Sequence, residues 1–164
     1  MSENERAQSF DPLKLQNQLC FPLYAVTNQI LRMYRPLLDK LNLTYTQYLA
    51  MMVLWDEKQV NETRLCEALR LQTNTVTPLL QKLIQKGYVR KEKDPSDERN
   101  RIITLTGKGC ALREQALSVP QTVSCDMRRV LTEEEAATLY RLLYRILDCA
   151  DEPSAQTEMK KNNR

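Results

Sequence analysis

Apolar residues in the first part of the chain recur at helical steps: Leu19, Leu23, Val26, Ile30, Met33 and Leu37 follow one another at alternating steps of four and three. That spacing places all six on one stripe of a long helix built to pack against other helices. Thr46 is positioned to cap a second helix running through Trp55. Asn61 can cap a third that ends near Arg70, with Leu65, Ala68 and Leu69 turned inward. A fourth begins at Thr73 and stops at Gly87, and Val76, Leu79, Leu80 and Leu83 make its buried face. The period then changes. Tyr88 to Lys93 and Arg101 to Leu105 alternate or are β-branched, and they flank the turn-rich, charged DPSDERN, which predicts a β-hairpin with a polar tip. Two further helical stretches follow Thr106. The last opens with a capping box of Thr132 and Glu135 and carries Leu139, Leu142, Leu143, Ile146 and Leu147.

The polar, aperiodic ends predict flexible tails over 1–12 and 151–164. Between them the pattern gives an N-terminal helix over 13–45, a helix-and-hairpin region over 46–105, and C-terminal helices over 106–150. A chain of 164 residues suits one folding unit with appended elements, and only three glycines fit long helices with few turns. The expected fold is mainly α with a small β-hairpin.

Composition then removes several chemistries. With no histidine there is no Ser-His or Cys-His hydrolase, no imidazole metal ligand and no histidine general base. Five cysteines, at 20, 66, 110, 125 and 149, include no C-x-x-C pair to begin a zinc or iron–sulfur site, and the odd number argues against a secreted disulfide scaffold. No metal and no cofactor are expected. The N-terminus lacks an apolar signal core, and the longest apolar run, Leu49 to Trp55, falls far short of the ~20 residues that span a bilayer. The expectation is a soluble, cytoplasmic chain with reduced thiols and no membrane partner.

A net charge of +3 is too mild to name a nucleic-acid partner, so the location of the charge has to carry that argument. A helix, a turn, a second helix and a charged two-stranded wing form the layout of a winged helix-turn-helix. Opposite the buried stripe of the fourth helix lie Asn74, Thr77, Pro78, Gln81 and Gln85, with Thr73 and Thr75 at its start. These hydrogen-bonding groups suit base edges in a major groove, and a helix N-terminus favours phosphate. Lys82 and Lys86 are expected toward the DNA backbone. The hairpin adds Arg90, Lys91, Lys93, Arg99 and Arg101 within twelve positions, and an arginine at its tip suits the narrow minor groove. Asp97, two residues before Arg99, is placed to hold its guanidinium. A Thr/Asn/Gln face alone is as readily a solvated surface; joined to the cationic wing it points to double-stranded operator DNA. One such unit reads one half-site, so the long helices at the two ends are expected to build a homodimer.

Three segments carry a resemblance over about residues 13–150: LCFPLYAVTNQILRMYRPLLDKLNLTYTQYLAMMVLW, LRLQTNTVTPLLQKLIQKGYVRKEK, and DERNRIITLT in the wing. In these the chain resembles the MarR family of winged-helix regulators, and within it the organic-hydroperoxide sensor-repressors of the OhrR type. The first segment discriminates, because many relatives share the wing but lack a cysteine here followed by two tyrosines. The resemblance implies a dimeric repressor, not an enzyme, that leaves its operator when an organic hydroperoxide oxidises one cysteine per subunit. Cys20 matches that cysteine, and Tyr24 and Tyr34 match the tyrosines that hydrogen-bond its sulfur. Some members of this type carry a second, resolving cysteine about a hundred residues later. Cys125 stands at that place, which implies an intersubunit disulfide with Cys20; the bland reading is an inert helix residue.

Spacing tests these assignments. Cys20 and Tyr24 are four apart and share a helical face. Tyr34, fourteen residues beyond Cys20, lies about 21 Å along the same helix, so it reaches a sensor sulfur only from a second subunit. Pro22 departs from the usual apolar residue of the family. A helix beginning near Phe21 would hold it in the first turn and put Cys20 at the N-terminus, where the dipole favours thiolate; a helix unbroken from residue 13 would be kinked there. Cys66 and Cys149 are expected as small core residues, and Cys110 opens a helix after Gly109. Tyr45, Tyr48 and Trp55 are read either as core or as a pocket between dimer helices and DNA-binding lobe. Two other readings stay open: a regulator released by a small phenolic or lipophilic ligand, and a cysteine peroxidase with Cys20 as nucleophile.

Overall fold

The computed structural model describes the backbone of residues 11–94, 101–128 and 130–151, with side chains throughout except at 124–128 and 150–151. The chain divides into two compact units at Pro120. In the first, a 3-10 turn (Leu15–Asn17) leads into α1 (Cys20–Lys40), α2 (Tyr45–Glu57), β1 (Gln59–Asn61), α3 (Glu62–Leu69) and α4 (Thr73–Gln85). These are followed by β2 (Val89–Lys93), β3 (Arg101–Leu105) and α5 (Gly107–Ala116). The division falls within α6 (Ser118–Arg128), and α7 (Glu133–Asp151) belongs to the second unit.

Helix ends follow local chemistry. α2 is capped by Thr44 rather than Thr46: the Thr44 hydroxyl accepts from Gln47 N at 3.4 Å while Gln47 Oε1 accepts from Thr44 N at 3.2 Å, closing a capping box. Thr46 lies one residue inside the helix, where its hydroxyl meets Thr44 Oγ1 instead of an open N–H. Asn61 caps α3 through a 2.7 Å bond from Arg64 N. Gly87, at φ 71°, ends α4, with Gly87 N bonded to Ile84 O and Tyr88 N to Leu83 O. That double closure is the Schellman motif, which needs a left-handed residue at this position. The region after Thr106 breaks at Leu117, one turn before Pro120, whose missing N–H leaves the Ala116 carbonyl without its helical partner. Thr132 and Glu135 form the expected capping box on α7; their hydrogen bonds hold the exposed Glu135 carboxyl below the usual carboxylate range.

The hairpin runs from Val89 opposite Leu105 to Lys93 opposite Arg101, and β1 adds a third antiparallel strand that the periodicity does not announce. Val60 of β1 faces Ile103 of β3, and both are buried. Around them pack the expected stripe of α4 (Val76, Leu79, Leu80, Leu83), Leu65 of α3, and Ala50, Met51 and Leu54 of α2. Ala68, expected inward, is exposed: Leu65 and Leu69 fix the contact face of α3, and Ala68 falls on its far flank.

Hydrogen bonds tie the junction of wing and α5 to α2 and to the end of α4. Trp55 Nε1 donates to Gly109 O at 2.9 Å, and Thr106, the cap of α5, accepts from Gly109 N and donates to Gly87 O at 2.6 Å. Tyr88, buried, donates from its hydroxyl to Leu41 O at 3.1 Å, with the Lys108 ammonium 4.8 Å over its ring. Among the described residues no helix is long and apolar enough to cross a membrane.

Candidate DNA interface and sensor site

α4 presents a surface with one apolar side and one hydrogen-bonding side. Thr73, Asn74, Thr75, Pro78, Gln81, Lys82 and Gln85 are all exposed. Gln72 supplies no side-chain cap, so the start of α4 keeps the character of an open helix N-terminus. Thr77 differs from its neighbours: it is half-buried at the edge of this face, and its hydroxyl donates to the Glu62 carboxylate of α3. Glu62 also holds Lys91 Nζ of β2 at 3.1 Å. These two partners, Thr77 first, keep the Glu62 carboxyl below the usual carboxylate range. Spacing alone does not reveal this junction, because residues 62, 77 and 91 meet only through tertiary packing.

In the wing, Arg90 is exposed, paired with Glu92 at 3.0 Å and donating from Nε to Thr104 Oγ1 at 3.1 Å. Arg101 is exposed at the start of β3, opposite Lys93. Asp97 and Arg99, the expected tip pair, lie outside the described residues. Lys86, expected toward the DNA backbone, turns inward instead: its ammonium donates to Asn42 O at 2.6 Å and Gln47 Oε1 at 2.8 Å. The end of α4 packs on the loop between α1 and α2, and burial there, with Lys82 nearby, pushes the Lys86 ammonium below the usual lysine range.

Cys20 is the first residue of α1 and is exposed, so Pro22 sits in the first turn and the helix is not kinked at that point. Tyr24, one turn on, is also exposed. Tyr34 is held far from them in the same helix, its ring 4.9 Å from that of Tyr45 and 6.0 Å from that of Tyr48, which in turn lies 6.2 Å from Trp55. Cys20 and Tyr34 are therefore not brought together within one chain. Cys125 lies in α6, and its side chain lies outside those described. Cys66 is partly buried, with its sulfur 3.7 Å from Thr73 Oγ1. Cys110 and Cys149 are exposed. For Cys149 this departs from the expected core position, because the apolar positions of α7 around it, Ile146 and Leu147, are themselves exposed in the single chain.

Tyr48 and Trp55, with Met52, Asp56 and Arg113, line an open cleft of about 220 Å³. Burial, then the neighbouring Tyr34 and Tyr45, pushes the Tyr48 hydroxyl up to about 12. Between the usual value near 10 and that value, the unfolded chain ionises Tyr48 while the folded chain keeps the proton. Its contribution to stability is complete below pH ~10 and is lost as pH rises through ~12, by roughly 3 kcal/mol. Urea unfolding between pH 9 and 12 should show that decline, and Tyr48→Phe should make it shallower, with the share due to half-buried Tyr45 remaining.

Comparisons with known proteins agree with this architecture. The family model for the transcriptional regulators SarA/Rot matches residues 32–115. The chain is 43% identical over 114 residues to the organic hydroperoxide resistance transcriptional regulator of Bacillus subtilis, covering 70% of this chain and 78% of that one. It is 35% identical over 143 residues to the regulator MgrA of Staphylococcus aureus, covering 87% and 96%. Among solved structures, reduced AbfR bound to DNA superposes with a TM-score of 0.68 at 32% identity, covering 92% of this chain and all of that one. A mutant MarR from E. coli complexed with operator DNA gives 0.73 at 25% identity, covering 79% and 93%. With a three-stranded winged helix-turn-helix and relatives that are transcriptional regulators, the chain belongs to the MarR family of winged-helix, DNA-binding transcriptional regulators.

Proposed function

We propose that the protein is a homodimeric repressor that holds operator DNA with α4 and the wing and releases it when an organic hydroperoxide oxidises Cys20. The observation that carries the sensing half is the place of Cys20: an exposed thiol at the first residue of α1, with Tyr24 one turn away. The thiolate is the form of a cysteine that attacks peroxide, and an exposed sulfur is within reach of the oxidant. The similarity to a relative named for organic hydroperoxide resistance supports the same choice of oxidant.

The chemistry balances without a cofactor. The Cys20 thiolate takes the terminal peroxide oxygen, the O–O bond breaks, and the alkoxide leaves as an alcohol after gaining a proton. The sulfenic acid then condenses with the Cys125 thiol of the second subunit, forming the S–S bond and releasing water. Tyr24 of one subunit and Tyr34 of the other hydrogen-bond the Cys20 sulfur. Exposed Leu19, Leu23 and Val26 on α1 and the apolar stripe of α7 are the surfaces that build the dimer. On the DNA side, Thr73, Asn74, Thr75, Thr77 and Gln81 of α4 meet the major groove, Lys82 meets the DNA backbone, and Arg90, Asp97, Arg99 and Arg101 serve the wing. Peroxide-treated protein should carry a sulfenic-acid trap at Cys20, and non-reducing electrophoresis should show a covalent dimer that Cys125→Ser abolishes. Labelling at another cysteine in preference to Cys20 would overturn the sensor assignment, and a dimer band in Cys125→Ser would remove Cys125 from it.

The open cleft beside Tyr48, Trp55 and Arg113 favours a second reading, in which a small phenolic or lipophilic ligand releases the DNA. That reading expects Arg113→Ala to abolish the response and Cys20→Ser to leave it intact.

A further inference from the structure

Glu62 links three elements of the fold. It is the first residue of α3, yet its two oxygens join the two elements of the candidate DNA interface: Oε1 accepts from the Thr77 hydroxyl on α4, and Oε2 holds Lys91 Nζ of β2 at 3.1 Å. Its side chain is only 22% exposed and that of Lys91 39%, so the pair is partly shielded from solvent. We propose that Glu62 is a positioning residue that sets sequence discrimination: it commits the Thr77 hydroxyl to accepting a hydrogen bond from a base amino group, and it holds the Lys91 ammonium back from phosphate. The inference rests on the reading that α4 and the wing meet DNA.

Both halves follow from hydrogen-bond accounting. A threonine hydroxyl has one proton and two lone pairs, and an ionised carboxylate can only accept. With its proton given to Glu62, Thr77 has only lone pairs left for a base edge. In the major groove amino donors belong to adenine and cytosine, whereas guanine and thymine present carbonyl acceptors at the equivalent place. Thr77 therefore favours an amino base over a keto base on the strand it faces. Lys91 works through charge. Lysine–phosphate contacts are indifferent to sequence and dominate non-specific binding, so a carboxylate that occupies Lys91 suppresses affinity for random DNA more than for the operator.

The test uses the full-length protein, a duplex selected by the wild type from a randomised pool, and a scrambled duplex. Glu62→Ala should bind the scrambled duplex roughly three- to tenfold more tightly, with a log–log salt slope steeper by about one. Its amino-over-keto preference should fall at a single base position and hold elsewhere. Glu62→Gln keeps an oxygen for Thr77 but loses the charge, so it should gain non-specific affinity while retaining the base preference. Thermal melting checks that the variants are folded. If both variants keep the wild-type ratio of selected to scrambled affinity and the wild-type base preferences, the proposal is overturned. Gln81→Ala separates this from the underlying reading: unchanged affinity for the selected duplex would mean that α4 is not the reading helix. Weakened affinity keeps α4 in that role, and the Glu62 proposal then stands or falls on the two Glu62 variants.

Discussion

Gly109→Ala is expected to destabilise the protein by about 3 kcal/mol or more, because overpacking against a rigid neighbour leaves few ways to relax. A Cβ at Gly109 would stand 2.0 Å from the Tyr88 carbonyl oxygen and 3.0 Å from its carbon. Both are backbone atoms, and they cannot swing aside as a long side chain would. Tyr88 is itself tied to Leu41 O through its hydroxyl, and Gly109 O accepts from Trp55, so moving either segment breaks further bonds. A fall in melting temperature of roughly 10 °C follows for a chain of this size. Gly107→Ala provides the control in the same helix. A Cβ there meets nothing within 4 Å, so its melting temperature should be unchanged or slightly raised.

A single charge on the α7 stripe should have a comparable effect on DNA binding without touching the DNA surface. Leu139, Leu142, Ile146 and Leu147 are 40–48% exposed in the single chain. Covering the exposed half of each such side chain is worth roughly 0.7–1.5 kcal/mol, and the four together give a second copy ample reason to seat there. Ile146→Glu would force a carboxylate into that contact. Sedimentation should show a monomer, and operator affinity should drop by about a hundredfold or more, since each half-site would then be bound without the gain from linkage. A dimer of undiminished stability would exclude this stripe from the interface.

Periodicity exposes much of this molecule in advance. The buried stripe of α4, Gly87 as its stop, the hairpin strands and the Thr132–Glu135 box all depend on interactions between near neighbours, which spacing encodes directly. The cap of α2 is legible too, since Thr44 and Gln47 carry the T-x-x-Q spacing of a capping box, although Thr46 stands closer to the apolar run and points to a later start. β1 is not: three residues with a single buried side chain, Val60, are too short for alternation to register. At the candidate sites the division is the same. The exposed hydrogen-bonding face of α4 follows from the helical period. The Glu62–Thr77–Lys91 junction and the inward turn of Lys86 do not, because each joins residues from different elements. Pro22 constrains the start of α1, and with it the place of Cys20, because proline tolerates a first turn far better than a helix interior.

The coupling of oxidation to DNA release is tested most directly by fluorescence anisotropy of the selected duplex, titrated with cumene hydroperoxide up to one equivalent per chain. Wild type should release the duplex as the equivalent is approached and rebind it after reduction. Cys20→Ser should bind equally well at the start and stay bound throughout. Release by Cys20→Ser at the same dose, or persistent binding by oxidised wild type, would contradict a Cys20 switch.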